Sequence, residues 1–446
     1  MAERRRLPRP WPADPPPGPF RRTAWRSPLR GPWLTSVLGA ALLAGLPVVV
    51  ITGFLSYAAY GPSLGRNNLI GDPGLLDFYL FAWPTSPSWL YAATQGLHVT
   101  IGIALVPIVL AKLWSVIPKL FAWPPVRSPL HALERLSLAF LVGGILFQLA
   151  TGILNVQLTY PWSFSFLAAH YYGAWVFTAA FVLHVALKLP TMVRALRSRR
   201  LRDELRTGLR HTRPEDPIAA AAVEREPAPS ALVPEAPAPP TMSRRGLLGL
   251  AFGGSAGLLV LTAGQSIGGP LRGTALLATH GRTLGDGPNG FPVNKTAAAV
   301  GIGAEQTGPA WRLHMIGAAG TRALSRADLL ALPQHTATLP IACVEGWSTT
   351  QEWTGVRLRD LAALATGGDF DELYVESLQA GGSFRRASLS AAEVRDGDAL
   401  LALRVNGADL SLDHGFPARI VVPALPGVHC TKWVSRITVR RNGAPA

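Results

Sequence analysis

Long unbroken apolar runs fill the first half of the chain, and short runs interleaved with polar residues fill the last third. Five apolar segments, at residues 33–57, 89–116, 136–158, 166–187 and 246–263, approach or exceed the roughly 20 residues a helix needs to cross a bilayer, the fifth being the shortest. From residue 274 the pattern becomes that of a soluble domain. Strand-length runs lie at 339–342, 372–377, 400–405, 418–422 and 437–439. Helical stretches lie at 325–332 and 358–364, with turn signals at Asn406-Gly407 and Asp396-Gly397. Roughly 170 residues of mixed strand and helix suffice for one α+β core.

Charge orients the apolar part. Arg4, Arg5, Arg6, Arg21, Arg22, Arg26 and Arg30 precede the first segment. Lys119, Arg127 and Arg135 lie between the second and third, and Arg194, Arg197, Arg199, Arg200 and Arg202 follow the fourth. The loops after the first and third segments carry almost no positive charge. The positive-inside rule then makes the N-terminus cytoplasmic and returns the fourth span to the cytoplasm. The net charge of +15 belongs to this membrane pattern, so no nucleic-acid partner is expected.

Residues 203–242 are rich in Pro, Ala and Glu, a composition that predicts a disordered cytoplasmic linker. Ser243-Arg244-Arg245-Gly246-Leu247-Leu248 opens the fifth segment and resembles a twin-arginine export signal in an internal position. The alternative is a pair of arginines flanking an ordinary transmembrane helix. Both readings place the chain beyond about residue 268 outside the cytoplasm.

Histidines inside apolar spans are costly and point to function. The second segment carries His98, the fourth His170 and His184, and His131 lies at the entrance to the third. His170 and His184 share a helical face about 21 Å apart along the axis, a spacing that suits two stacked haems. Depth pairs His98 with His170 around an outer b-type haem. His184 has no equally good partner, and His131 is its candidate for a second haem. The alternative is hydrogen bonding within the bundle. Residues 33–193 resemble the four-helix membrane cytochromes b, with the departure that the first span contains no histidine.

The exported part turns on Cys343. With two cysteines in the chain, a multi-cysteine zinc or iron–sulfur site is excluded. A lone thiolate is a soft metal ligand. Ile341-Ala342-Cys343-Val344-Glu345-Gly346-Trp347, followed by Trp353-Thr354-Gly355-Val356, resembles the molybdenum-binding segment of the sulfite oxidase fold, in the branch of periplasmic methionine sulfoxide reductases. Phe291-Pro292-Val293-Asn294-Lys295-Thr296-Ala297, Asp413-His414-Gly415-Phe416-Pro417-Ala418-Arg419 and Gly427-Val428-His429-Cys430-Thr431-Lys432-Trp433-Val434 are similar to further segments of that family.

The resemblance implies Cys343 as the catalytic molybdenum ligand and Asn294 in the segment contacting the cofactor. It matches Ser377 to a hydroxyl position and puts His414 beside the cofactor. Arg419 and Lys432 would hold the pterin phosphate, with Cys430 and Thr431 in the phosphate loop. Two alternatives stay open: Arg419 and Lys432 as surface charges, and a Cys343–Cys430 disulfide in an oxidising compartment. Arg385-Arg386 offers an anion pocket or simply an exposed pair.

The expectation is a multidomain protein: an all-α transmembrane cytochrome b-like bundle plus an α+β sulfite oxidase-like molybdopterin domain. Its parts are a basic cytoplasmic terminus (1–32), the bundle (33–193), the linker (194–242), the signal-like fifth helix (243–267) and the exported domain (268–446). It would be a multi-pass protein of a bacterial-type cytoplasmic membrane, exported with the twin-arginine translocation machinery. With molybdenum-molybdopterin and one or two b haems, it would exchange an oxygen atom with a small oxo substrate and electrons with a quinone. Reduction of sulfoxide-like substrates is preferred. The alternatives are a dehydrogenase of sulfite or similar feeding the quinone pool, and a haem-only conduit with a non-catalytic exported binding domain.

Overall fold

The computed structural model describes residues 11–441 apart from Ala13, 65–66, 68–69, 71–80, Arg127 and 281–283. Of the orienting basic residues, Arg4, Arg5, Arg6 and Arg127 lie outside the described residues. The apolar segments form helices: α1 (Pro32–Ala59), α2 (Leu90–Ala104), α3 (Val106–Leu120), α4 (Pro129–Val156) and α5 (Phe166–Ser198). Short helices α6 (Leu201–Arg206) and α7 (Pro217–Glu224) precede α8 (Arg244–Ile267).

Among the described residues, α1, α4, α5 and α8 are each long and apolar enough to cross a membrane. Large apolar side chains such as Leu133, Phe140, Val182 and Leu187 point outward from them, as lipid-facing positions do. The second expected span is not one straight helix. It is bent by 42° between α2 and α3, where Pro107 enters the first turn of α3. Its ring and missing N–H deny the preceding turn a continuous ladder.

The segment read as a disordered linker is packed. Asp216 caps α7 by accepting from the Ile218 and Ala219 N–H groups. Lys119 pairs with Glu224 at 2.6 Å and Glu226 at 2.8 Å, and Arg194 donates to the Val223 carbonyl. Its composition builds no core of its own; alanine packing and charge pairs onto neighbouring helices order it instead. At the start of α8, Arg244 is 3% exposed. It donates to the carbonyls of Pro28, Leu29 and Arg213 and pairs with Glu204.

The chain packs as two compact units. One comprises Met1–Pro47, Ile103–Thr151 and His170–Leu258; the other comprises Val48–Gly102, Gly152–Ala169 and Leu259–Ala446. The expected division, bundle 33–193 against domain 268–446, therefore moves. Trp83, before α2, and Gln95, within α2, bond to the backbone of the C-terminal domain: Trp83 Nε1 donates to the Ala424 carbonyl at 2.8 Å and Gln95 Nε2 to that of Val344 at 2.6 Å.

The C-terminal domain runs α9 (Ala304–Thr307), β1 (Leu313–Gly317), β2 (Gly320–Leu324), α10 (Arg326–Ala331), β3 (His335–Ala342), β4 (Ser348–Arg357), α11 (Leu358–Thr366) and β5 (Glu372–Ser377). It continues with β6 (Arg386–Ser390), α12 (Ala391–Arg395), β7 (Leu400–Val405), β8 (Ala408–Asp409), β9 (Arg419–Val421) and β10 (Val434–Arg440). One sheet has the order β2-β1-β10-β5-β6, with β1 parallel to β10 and the rest antiparallel. The other has the order β3-β4-β7-β8, with β9 also paired to β7.

Leu313, Leu373, Leu389, Leu401, Ile420 and Ile437 meet in the main core. The predicted strands 372–377 and 400–405 coincide with β5 and β7. β4 is the main omission, because its Ser-Thr-Thr-Gln-Glu start carries no apolar signal. The pairing of β3 with β4 from His335↔Gly355 to Ala342↔Ser348 makes residues 343–347 a tight connection, and this sets the position of Cys343.

Candidate active site

Cys343 begins the turn that links β3 to β4. Its N–H donates to the Trp347 carbonyl at 2.9 Å, and its carbonyl accepts from Gly346 N–H at 3.0 Å. Gly346 closes the turn at φ +94°, a conformation that excludes most side chains. The turn holds the thiol over a cleft lined by Asn294, His414, Arg419 and Lys432, together with Phe291, Trp347 and Thr349. Residues from four distant stretches of sequence thus meet around one sulfur.

Arg419, first residue of β9, is 3% exposed. Its Nη1 and Nη2 donate to the His414 and Cys430 carbonyls. Its Nε and the buried Thr431 Oγ1 are among the described side-chain atoms that have no hydrogen-bond partner. Lys432 Nζ donates to the carbonyls of Lys295 and Asp413, both at 2.8 Å. Neither cation is the surface charge that the sequence left open. Gly415 lets the two approach: a Cβ there would lie 3.1 Å from the Cβ atoms of both Arg419 and Lys432. His414 stacks on Phe291 with centroids 3.6 Å apart and uses Nε2–H toward the Asn289 carbonyl.

Three predicted residues act on the cleft's scaffold rather than lining it. Ser377 Oγ donates to the Lys432 carbonyl at 2.7 Å. Cys430 is buried in the apolar cluster with Leu339, Trp353 and Val421, and Thr431 is buried beside it. Both cysteines are free thiols, so the disulfide alternative is overturned. Cys343 lies in the β3–β4 turn and Cys430 in the loop between β9 and β10.

Electrostatics follow from burial. Burial pushes the Cys343 thiol well up, and the Glu345 carboxylate adds to it, so a metal must displace a proton to bind. Burial brings Lys432 down to about 7, with Arg419 next in effect, and brings Arg419 to about 10. Buried cations lacking full compensation suit an anionic ligand. A soft thiol, two cations, an imidazole and an amide together fit a molybdenum pterin carrying a phosphate. The free space in the cleft is about 20 Å³.

The histidines give a pH prediction. Burial lowers His414 to about 4, reinforced by Arg419, and burial lowers His429 to about 4. An unfolded histidine titrates near 6.5. Between about pH 4 and 6.5 the unfolded chain therefore binds more protons, and stability falls as pH drops through that window. Each histidine contributes about 3 kcal/mol at most. The melting temperature of the full-length protein should fall from pH 6.5 to 4, and His429→Leu should flatten that fall. An unchanged slope would remove His429 from the account.

Sequence reasoning missed the surroundings of the turn. Glu345 accepts from Trp347 Nε1 at 3.0 Å and His280 Nδ1 at 2.5 Å, and lies 3.5 Å from Cys343 Sγ. Gln95, Gln265 and Ser266 bond the turn's backbone. Amides buried in apolar helices were the available signal.

The candidate haem ligands fall in both units. His98 Nδ1 donates to the Val49 carbonyl at 2.9 Å. His170 Nδ1 lies 2.9 Å from Thr151 Oγ1, whose own proton goes to the Phe147 carbonyl at 2.7 Å. These contacts fix the Nδ1 side of each ring. His184 and His131 line one cavity of about 1140 Å³, together with Lys112, Lys188, Leu42 and Phe177.

A protein-family model, "Oxidoreductase molybdopterin binding domain", matches residues 301–446. Mitochondrial sulfite oxidase of Mus musculus is 36% identical over 157 residues, covering 29% of this chain and 29% of that protein. Nitrate reductase [NAD(P)H] of Hordeum vulgare is 35% identical over 108 residues, 22% of this chain and 12% of that one. The sulfane dehydrogenase SoxCD of Paracoccus pantotrophus aligns over 30% of this chain and 38% of its own at 29% identity, with a TM-score of 0.28, too low to carry an argument. The chain thus spans under a third of the length of the sulfite oxidase it matches. The cleft residues from Ile341 to Lys432 fall inside the match, with Phe291, Pro292 and Asn294 just before it, and the C-terminal part of this chain is similar to a sulfite oxidase-like molybdopterin-binding oxidoreductase domain.

Proposed function

We propose that the chain is a membrane-anchored reductase of small neutral oxo compounds of the sulfoxide kind, drawing electrons from a quinol through b-type haem. The carrying observation is Glu345, 3.5 Å from the Cys343 sulfur. Negative charge beside the sulfur would oppose an anion such as sulfite and would not oppose a neutral sulfoxide. Arg386, considered for an anion pocket, pairs instead with Glu376 at 3.2 Å. The reverse reading, a sulfite dehydrogenase feeding quinone, is favoured by the sulfite oxidase relatives.

Bound at Cys343, a molybdenum pterin supplies two-electron oxygen-atom exchange, and b haem supplies one-electron carriage. The chain's own work is positional. Arg419 and Lys432 would hold the pterin phosphate, with Asn294 and His414 lining the same cleft. Ser377 and Cys430 keep the phosphate loop in place. His98 and His170 would hold the outer haem, and the cavity of His184 and His131 would take a second. The domain beyond α8 faces away from the cytoplasm. Export through the twin-arginine machinery would have to precede the packing that buries Arg244.

The test is molybdenum and haem analysis of purified full-length protein, with quinol-dependent reduction of methionine sulfoxide set against sulfite-dependent reduction of a quinone. Both metals and sulfoxide turnover are expected. Sulfite-driven quinone reduction without sulfoxide turnover would reverse the direction, and haem without molybdenum would leave only a conduit.

A further inference from the structure

We infer that Gln95 is a positioning residue for electron passage, clamping the Cys343–Trp347 turn to α2 within one helical turn of His98. The inference rests on the proposed haem ligation by His98. Three successive carbonyls of the turn each accept from a membrane-helix side chain. Gln95 Nε2 donates to Val344 at 2.6 Å, Gln265 Nε2 to Glu345 at 3.2 Å and Ser266 Oγ to Gly346 at 2.5 Å. A Cβ on Gly346 would lie 2.9 Å from the Cβ of Val99, so the turn's backbone rests directly on the neighbour of His98.

Gln95 sits three residues before His98, on the same face of α2. It is 4% exposed, and its Oε1 accepts from Ser56 Oγ at 2.6 Å. On α1, Ser56, Gly53 and Val49 share one face at spacings of three and four residues. Gly53 abuts the His98 ring: a Cβ there would lie 2.9 Å from Cε1. Val49 accepts from His98 Nδ1 at 2.9 Å. An unbroken run of bonded and packed groups therefore joins the residue after Cys343 to the His98 imidazole. A buried amide bonded at both ends is a costly choice for mere packing, since either loss strands a polar group.

The traffic over this junction is of single electrons. In the reductive direction a quinol loses two electrons and two protons. The electrons cross in turn, and the sulfoxide takes two electrons and two protons to leave as a thioether and water.

Full-length protein whose haem is reduced by a quinol analogue is mixed with methionine sulfoxide, and haem oxidation is followed optically in a single turnover. Gln95→Leu should slow it about tenfold, the shift in docked population that losing such a bond brings. Haem content, haem midpoint potential and the Mo(V) paramagnetic signal should stay as in the wild type. A purely structural role would change those quantities and leave the rate per loaded molecule unaltered. Ser56→Ala, which frees one end of the amide, should slow the rate about threefold, and it decides the matter if Gln95→Leu loses haem. Unchanged rates overturn the inference alone. Wild-type haem that sulfoxide never oxidises overturns both this inference and the proposed function.

Discussion

Cys343→Ser is expected to abolish turnover, lowering it by at least roughly a thousandfold, about 4 kcal/mol of barrier. The hydroxyl is a hard, weakly acidic group where a soft thiolate is needed. Haem content should be unchanged, because the turn that carries Cys343 is closed by backbone bonds to Trp347 and Gly346 that serine keeps. The measurement is turnover with an artificial donor, alongside metal content and the molybdenum spectrum. Full activity in the variant would remove the thiolate from the mechanism. Cys430→Ser is the contrast. Cys430 is 2% exposed in an apolar cluster, so a hydroxyl there should cost about 1–2 kcal/mol of stability and leave turnover largely intact.

His98→Ala and His170→Ala are each expected to eliminate the same haem and to stop quinol-linked turnover, a loss of at least about a hundredfold. In the proposed ligation each change would remove one of the two histidines that hold that haem. Activity with a donor that reaches the Cys343 cleft directly should persist, since neither histidine lines that cleft. His184→Ala should spare this haem and remove a second one, because His184 lies in the cavity it shares with His131. Haem stoichiometry and low-temperature optical spectra of the three variants decide. If His184→Ala and His98→Ala lose the same haem while His170→Ala keeps it, the depth pairing is wrong.

Legibility differed from element to element for physical reasons. β5 and β7 were readable to the residue because each has a buried apolar stretch, at residues 373–375 and 400–403. β4 was not, because Thr349, Thr350 and Gln351 face outward or toward the site and leave no apolar alternation. The break between α2 and α3 was signalled by Pro107 but hidden by the unbroken hydropathy of 89–116. The 203–242 segment misled because composition reports whether a stretch can build its own core. It does not report whether Lys119 and Arg194 lie close enough to hold Glu224, Glu226 and the Val223 carbonyl.

The sequence by itself determined the chemistry. Cys343 with its flanking Trp and Gly, the Arg419 and Lys432 segments, and histidines placed inside apolar runs are local features, written in residue type and spacing. Tertiary structure alone decided how those features are wired. Ser377, Cys430 and Thr431 fell behind the cleft, the two thiols stayed apart, and a carboxylate came to lie beside the sulfur. Gln95, Gln265 and Ser266, some 80 to 250 positions from the turn they hold, became its hydrogen-bond donors. Amides in apolar helices are conspicuous in the sequence, but their partners are not, because a turn carbonyl accepts from whatever donor packing brings within 3 Å or so.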